Sequence, residues 1–238
     1  MKACDFIIHY LVRHANLRHV FTYAGGTNSM LLDALVREGS AQIVPMRHEQ
    51  NAAFAADSYT RIRRGIGVAL TMSGPGATNM VTGIAQSFFD STPVLYLTGN
   101  VTTTTYKYDL PLRQLGYQET DIISIVKPIV KGAYFADQAV TLPAKLRTAL
   151  RDCLLDRTGP ALLDIPFDTQ KLDILDNELV PPPCLASAHY TMCQSEFDTF
   201  VKLLTGAQKP LILAGGGIQV SNSAADLADF ARLYKIPV

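Results

Sequence analysis

The sequence predicts an α/β fold: an open parallel sheet with helices packed on both faces. Three observations carry that expectation. Short apolar runs recur along the chain, each long enough for one strand. Stretches with helical apolar spacing separate them. Glycine-containing turns stand where a run ends and a helix pattern begins, as in YAGGTNSM and MSGPGATNM. Strands covered on both faces read as continuous apolar runs rather than alternating ones. Their alternation with helical segments is the pattern of βαβ units, whose crossovers are right-handed.

Taken in order, the chain opens on an amphipathic helix marked by Phe6, Ile7, Tyr10, Leu11 and His14. Asp5, His9 and Arg13 interrupt its apolar stretch, so it is no signal-peptide core. Strands are expected at VFTYAG (20–25), QIVPM (42–46), GVALTM (67–72), PVLYLTG (93–99) and ALLDIP (161–166). Helices are expected near 28–37, 49–64, 77–89 and 138–156. Arg61, Arg63 and Arg64 end the second of these, where positive charge suits the helix dipole, and they read as a solvated terminus. Between 100 and 118 the pattern lapses into NVTTTTYKYDLPLRQLGYQ, a loop long enough to be functional. Pro181, Pro182 and Pro183 mark a stiff linker. The expected organisation is a domain over 1–170, a linker over 171–192 and a second α/β unit over 193–238. That unit comprises a helix (195–205), a strand PLILAGGG, a helix (223–234) and a closing KIPV. So short a unit could hardly close its own sheet, and the sequence reads as truncated within it.

Composition narrows the function classes. The 238 residues carry 21 basic and 21 acidic side chains, so no electrostatic partner such as nucleic acid or an anionic membrane is implied. Cys4, Cys153, Cys184 and Cys193 form no CxxC and no Cys/His cluster, and His9, His14, His19, His48 and His189 lack metal-site spacing. No metal-ligand set is therefore assigned, and the thiols read as reduced, as in a cytoplasmic protein. None of the glycine turns, LAGGGIQV (213–220) included, ends in Lys-Ser/Thr or fits GxGxxG with a distant acid, which disfavours nucleotide-binding folds. Within PMRHEQNAAFAADSYTRI, Glu49 stands between a buried strand and an alanine-rich helix. It could be a helix-start charge, half of an interface ion pair, or a working acid.

The ordered set YAGG, RHEQNAAFAAD, TMSGPGATNMVTGIAQSFFDSTPVLYLTG and GYQETD resembles the N-terminal, pyrimidine-binding domain of thiamine-diphosphate-dependent enzymes, and within them the acetolactate synthase group. The resemblance runs over residues 1 to about 170, and 195–238 resemble the opening of that family's central domain. It implies that Glu49 hydrogen-bonds N1′ of the cofactor's aminopyrimidine ring, favouring the imino tautomer, and that the activated cofactor decarboxylates a 2-keto acid and joins the remainder to an acceptor. A carboxyl in that role is expected to be sheltered from water, with its pKa raised.

Further residues carry over by motif. Tyr23, Ala24, Gly25 and Gly26 match a turn, usually Tyr-Pro-Gly-Gly, lying against the cofactor, with Ala24 in place of the proline. Pro75 and Asn79 match residues near the pyrimidine ring; otherwise SGPGATN is a helix start capped by Ser73 or Thr78. Gln118 matches a glutamine that reaches into the active site, beside Tyr117 where the synthases usually have phenylalanine. His48 is a further candidate through its place before Glu49. Lys131 falls where the synthases carry a lysine and otherwise reads as a solvated charge. The family holds the diphosphate and magnesium on a C-terminal domain with a Gly-Asp-Gly motif, which this sequence does not contain. The resemblance thus implies a second subunit completing the site in a homodimer or tetramer, and leaves FAD open. Two alternatives stay open: another thiamine-diphosphate lyase or decarboxylase, or a non-catalytic assembly domain that kept the fold.

Overall fold

The computed structural model describes residues 1–175 and 192–238. Two compact units, Met1–Leu185 and Ala186–Val238, divide the chain. The proline run 181–183, Cys184 and His189 lie outside the described residues.

In the first unit the order is α1 (Ala3–His14), β1 (His19–Thr22), α2 (Ser29–Glu38), β2 (Gln42–Pro45), α3 (Glu49–Arg63), β3 (Gly67–Thr71), α4 (Pro75–Asn79), α5 (Val81–Phe89) and β4 (Val94–Asn100). Then come α6 (Ile122–Val126), β5 (Gly132–Phe135), α7 (Leu142–Leu154) and β6 (Ala161–Pro166). The six strands form one sheet in the order β2-β1-β3-β4-β6-β5, every pair parallel. The expected open parallel sheet is therefore present. β3, β4 and β6 are buried at every position, which is why they read as unbroken apolar runs.

Two apolar layers sandwich this sheet. One joins its first face to α1, α2 and α7 through Phe6, Leu11, Leu31, Leu35, Leu146 and Leu150. The other joins the opposite face to α3, α4 and α5 through Ala52, Ala53, Ala56, Ala77, Met80 and Ile84. The alanines of α3 let its backbone approach α5 closely. A Cβ added to Gly83 would meet the Ala53 Cβ at 2.4 Å. Gly83→Val should therefore cost about 1–3 kcal/mol by overpacking, read as a lowered denaturation midpoint with an unchanged slope.

Three sequence expectations need correction. The helix expected over 77–89 is two, α4 and α5, meeting at Met80. β5 and α6 were not foreseen: β5 is a four-residue, half-buried strand at the sheet edge, defined by its pairing with β6 rather than by its own pattern. In the second unit the described residues form α8 (Gln194–Gly206), α9 (Gly217–Val220) and α10 (Ala224–Tyr234), and PLILAGGG is not a strand. A strand needs a ladder, and this segment's backbone has one such bond, Ile212 N–H to the Pro237 carbonyl at 2.9 Å.

Among the described residues no helix is long and apolar enough to cross a membrane, and no group of three or more His, Cys, Asp or Glu is placed to hold a metal ion.

Candidate active site

The topology itself singles out one place on the sheet. The chain runs from β1 to β2 on one side, then crosses to β3 on the other side of β1. In open parallel sheets, ligands bind in the crevice at the carboxyl ends of strands where the order reverses in this way. Here that crevice lies between the turn after β1 (Tyr23 to Asn28) and the turn after β3 (Met72 to Gly74). Both are glycine turns that the sequence singled out.

The two turns touch. A Cβ on Gly25 would meet the Met72 sulfur at 2.4 Å. The first turn is held by Asn28, which is fully buried: its Oδ1 accepts from Gly25 N–H at 2.8 Å and its Nδ2 donates to the Tyr23 carbonyl at 3.0 Å. Tyr23 and Ala24 are exposed, and Gly26 faces open space. Thr27 ties this turn to its neighbours, donating to the Gly99 carbonyl at the end of β4 (3.1 Å) and accepting from Ser73 N–H (3.3 Å).

Glu49 follows β2, an edge strand that is half-exposed rather than buried as its apolar run suggested. It is the first residue of α3 and 8% exposed. His48 is the N-cap, its Nδ1 accepting from Gln50 N–H at 3.2 Å. Asn79, at the end of α4, donates through Nδ2 to Glu49 Oε2 at 2.9 Å. Glu49 Oε1 lies against Gly76, where an added Cβ would stand 3.4 Å away. Among the described residues that oxygen has no protein donor. Neither Ser73 nor Thr78 caps α4; the N-cap is Gly74, and the Thr78 hydroxyl donates to the Pro75 carbonyl. Pro75 is the exposed first residue of that helix.

Gln118 packs on the same turn. Gly74 has φ +65°, and a Cβ there would meet the Gln118 Cβ at 2.7 Å, so only glycine fits. Gln118 has positive φ as well (59°). The turn from Met72 to Asn79 thus touches Gly25, Glu49 and Gln118, gathering the residues that the motifs named from four separate stretches. Tyr117 is 83% exposed. Lys131 lies elsewhere, its Nζ donating to the Leu155 carbonyl behind the start of β6, on the amino side of the sheet.

Other residues hold the loop between β4 and α6; Glu119 lies within GYQETD, but the sequence reading assigned none of them a role. The Glu119 carboxylate is buried and accepts from the backbone N–H groups of Lys107 (2.9 Å), Leu115 (2.7 Å) and Gly116 (3.3 Å). Asp168 accepts from Thr103 N–H (2.9 Å) and Thr103 Oγ1 (2.6 Å). Asp164, 1% exposed in the middle of ALLDIP, accepts from Thr98 Oγ1 and from Asn100 Nδ2, each at 2.6 Å. Burial pushes its carboxyl up to about 7, against the lowering effect of the Thr98 and Asn100 donors, and nearby Asp121 raises it further. A carboxyl raised in the folded state binds its proton more tightly there than in the unfolded chain. Its contribution is therefore fully present below the ordinary carboxylate range and is lost as pH climbs from about 4 to about 7. Asp164→Asn should flatten the fall in stability over that window, as measured by urea unfolding at stepped pH.

The arrangement leaves one acceptor atom available at the switch point. A sheltered carboxylate presents one oxygen without a protein partner among the described residues, a carboxamide fixes the other, and Gly26, next in sequence to the packed Gly25, faces open space. Glu49 Oε1 can accept from a donor brought beside it.

Comparison with known proteins gives the family. The family model "Thiamine pyrophosphate enzyme, N-terminal TPP binding domain" matches residues 1–125. An acetolactate synthase of Arthrospira platensis is 36% identical over 98% of this chain and 40% of its own length. The acetolactate synthase large subunit of Buchnera aphidicola subsp. Schizaphis graminum is 34% identical over 100% of this chain and 41% of its own. A probable large subunit from Methanocaldococcus jannaschii is 35% identical over 100% and 40%. The chain spans about two fifths of the length of these relatives. With the parallel sheet, the touching glycine turns and the Glu49–Asn79 pair already in place, the chain belongs to the thiamine pyrophosphate enzymes and carries an acetolactate-synthase-like N-terminal, cofactor-binding domain.

Proposed function

We propose that this chain supplies the aminopyrimidine half of the active site in a 2-keto acid decarboxylase and carboligase, converting pyruvate to acetolactate. The observation that carries the reading is the sheltered Glu49 carboxylate, oriented by Asn79 beside the glycine turns at the sheet's switch point. Glu49 would hold the ring nitrogen through Oε1 and keep a proton at that contact, and Asn79 would keep the carboxyl from rotating. Tyr23 to Gly26 would border the cofactor on one side and Pro75 on another. Gln118, set against Gly74, would face the substrate. Thiamine diphosphate, when bound, would supply a thiazolium carbon acidic enough to give up its proton, and with it the nucleophile and electron sink that decarboxylation of a keto acid needs.

In this reading residues 1–170 form the pyrimidine-binding unit, 171–192 link it onward, and 193–238 open a central domain that leaves FAD an open question. Magnesium and the diphosphate are held by a partner subunit in a homodimer or tetramer, and the enzyme works in the cytoplasm. The exposed apolar Ile62 and Phe89 on α3 and α5 supply a surface for such a partner.

Calorimetry with thiamine diphosphate and magnesium tests the half-site arrangement: binding is expected only when a diphosphate-binding domain is present with this chain. Acetolactate should form from pyruvate in the protein expressed from its whole gene. Consumption of another 2-keto acid without acetolactate would overturn the synthase assignment but not the cofactor site.

A further inference from the structure

The strand β6 carries a carboxylate that the proposed chemistry does not use. Asp164 stands in an all-apolar run, fully enclosed between β4 and β5. Among the described residues no Lys, Arg or His pairs with it; its donors are the neutral Thr98 hydroxyl and Asn100 carboxamide. Burying an uncompensated carboxylate is costly, and filling the space with an apolar side chain of similar size commonly costs less. Its arrangement therefore calls for a reason beyond packing.

The reason lies in what Asn100 does next. Its Nδ2 also donates to the Thr120 carbonyl at 3.1 Å, and its Oδ1 accepts from Val101 N–H at 2.8 Å. One side chain thus grips both ends of the loop that leaves β4 at Val101 and rejoins the fold at Thr120. Thr120 is two residues from Gln118, and its hydroxyl donates to the Gln118 carbonyl at 3.4 Å. Between these ends the loop is folded about Glu119 and has no strand or α-helix of its own. Gln118 must hold a positive φ and pack on a glycine there. Its placement depends on how firmly the loop's ends are held.

We propose that Asp164 is a positioning residue: by fixing the Asn100 carboxamide it clamps both ends of the 101–120 loop to the sheet and so sets where Gln118 stands beside Gly74. The link to catalysis rests on the active-site role proposed for Gln118; the clamp itself does not. Asp164 acts through Asn100, so the two residues behave as one unit.

The test is hydrogen–deuterium exchange on the whole chain, followed by kinetics of the enzyme expressed from its whole gene. Asp164→Leu and Asn100→Ala should each speed exchange of peptides covering 101–120 by roughly tenfold, with peptides of β3 and β4 unchanged. The double variant should be no faster than the faster single variant, since coupled residues are non-additive. Asp164→Asn should restore wild-type exchange, because its amide oxygen accepts from Asn100 while its amide nitrogen donates to the Thr98 hydroxyl. In the assay, Asp164→Leu should lower kcat/KM for the 2-keto acid on the order of tenfold. The KM for thiamine diphosphate should stay unchanged and Asp164→Asn should restore activity, a split that general loss of stability would not give. Should Asp164→Leu fail to fold, Asp164→Ser takes its place in every comparison. Wild-type loop exchange in the folded variants, or additive effects in the double, would overturn the clamp. A loop that responds in a protein that consumes no 2-keto acid would instead overturn the functional reading and leave the clamp standing.

Discussion

Glu49→Gln is expected to lower turnover on a 2-keto acid by roughly 10²- to 10⁴-fold, the usual contribution of a positioned proton-transfer group. Affinity for thiamine diphosphate should change by less than about tenfold, since hydrogen-bonding shape is preserved. The carboxamide has the carboxylate's outline, so the Gly76 contact and the fit at the start of α3 are kept. Its oxygen can accept the Asn79 donor that Oε2 now takes, and its nitrogen then occupies the place of Oε1. What the variant cannot do is exchange a proton with the group bound there. Steady-state rates and calorimetric affinity measured on the same preparation separate these two capacities. A variant within about threefold of wild-type turnover would show that no proton passes through this side chain, because a lost transfer group costs at least tenfold more.

Why the sequence exposed some of this and not the rest follows from the range of the interactions. The buried strands were legible because β3, β4 and β6 are covered on both faces, and their own residues declare it. β5 was not, because its four half-buried residues become a strand through pairing with β6. Glu49 drew attention as a charge ending an apolar run, but its contact with Asn79, thirty residues away, was not foreseen; the motifs named the two residues separately. Thr27, Asn28, Asn100 and Asp164 are ordinary residue types whose meaning lies in partners far along the chain. The Asn100–Asp164 bond spans 64 residues, and Gln170 reaches back 143 to the Thr27 carbonyl. An aspartate inside ALLDIP was the one visible irregularity, and the strand reading absorbed it.

The same long-range logic makes Arg61 the other position of large effect. Arg61, Arg63 and Arg64 read as a solvated helix end, yet Arg61 is bound on both sides. Its Nε donates to Asp57 at 2.6 Å and its Nη2 to Asp90 at 2.7 Å. Asp57 is 3% exposed and also accepts from the Ser87 hydroxyl at 2.8 Å, which in turn contacts the buried Tyr96 hydroxyl at 2.8 Å. This network pins α3, whose first residue is Glu49, to α5, which begins two residues after Asn79. Removing the more exposed partner should be the more damaging change. Arg61→Ala leaves the Asp57 carboxylate buried with a single neutral donor, and is expected to cost about 2–4 kcal/mol. Asp57→Asn leaves Arg61 free to turn toward Asp90 and water, while its amide still serves Ser87, and should cost about 1 kcal/mol. Urea unfolding of the two variants under identical conditions checks the order. If Arg61→Ala proved the milder, the Asp57 carboxylate would be taking a replacement donor, such as water entering where the half-exposed guanidinium stood, and the ranking argued from its burial would fail.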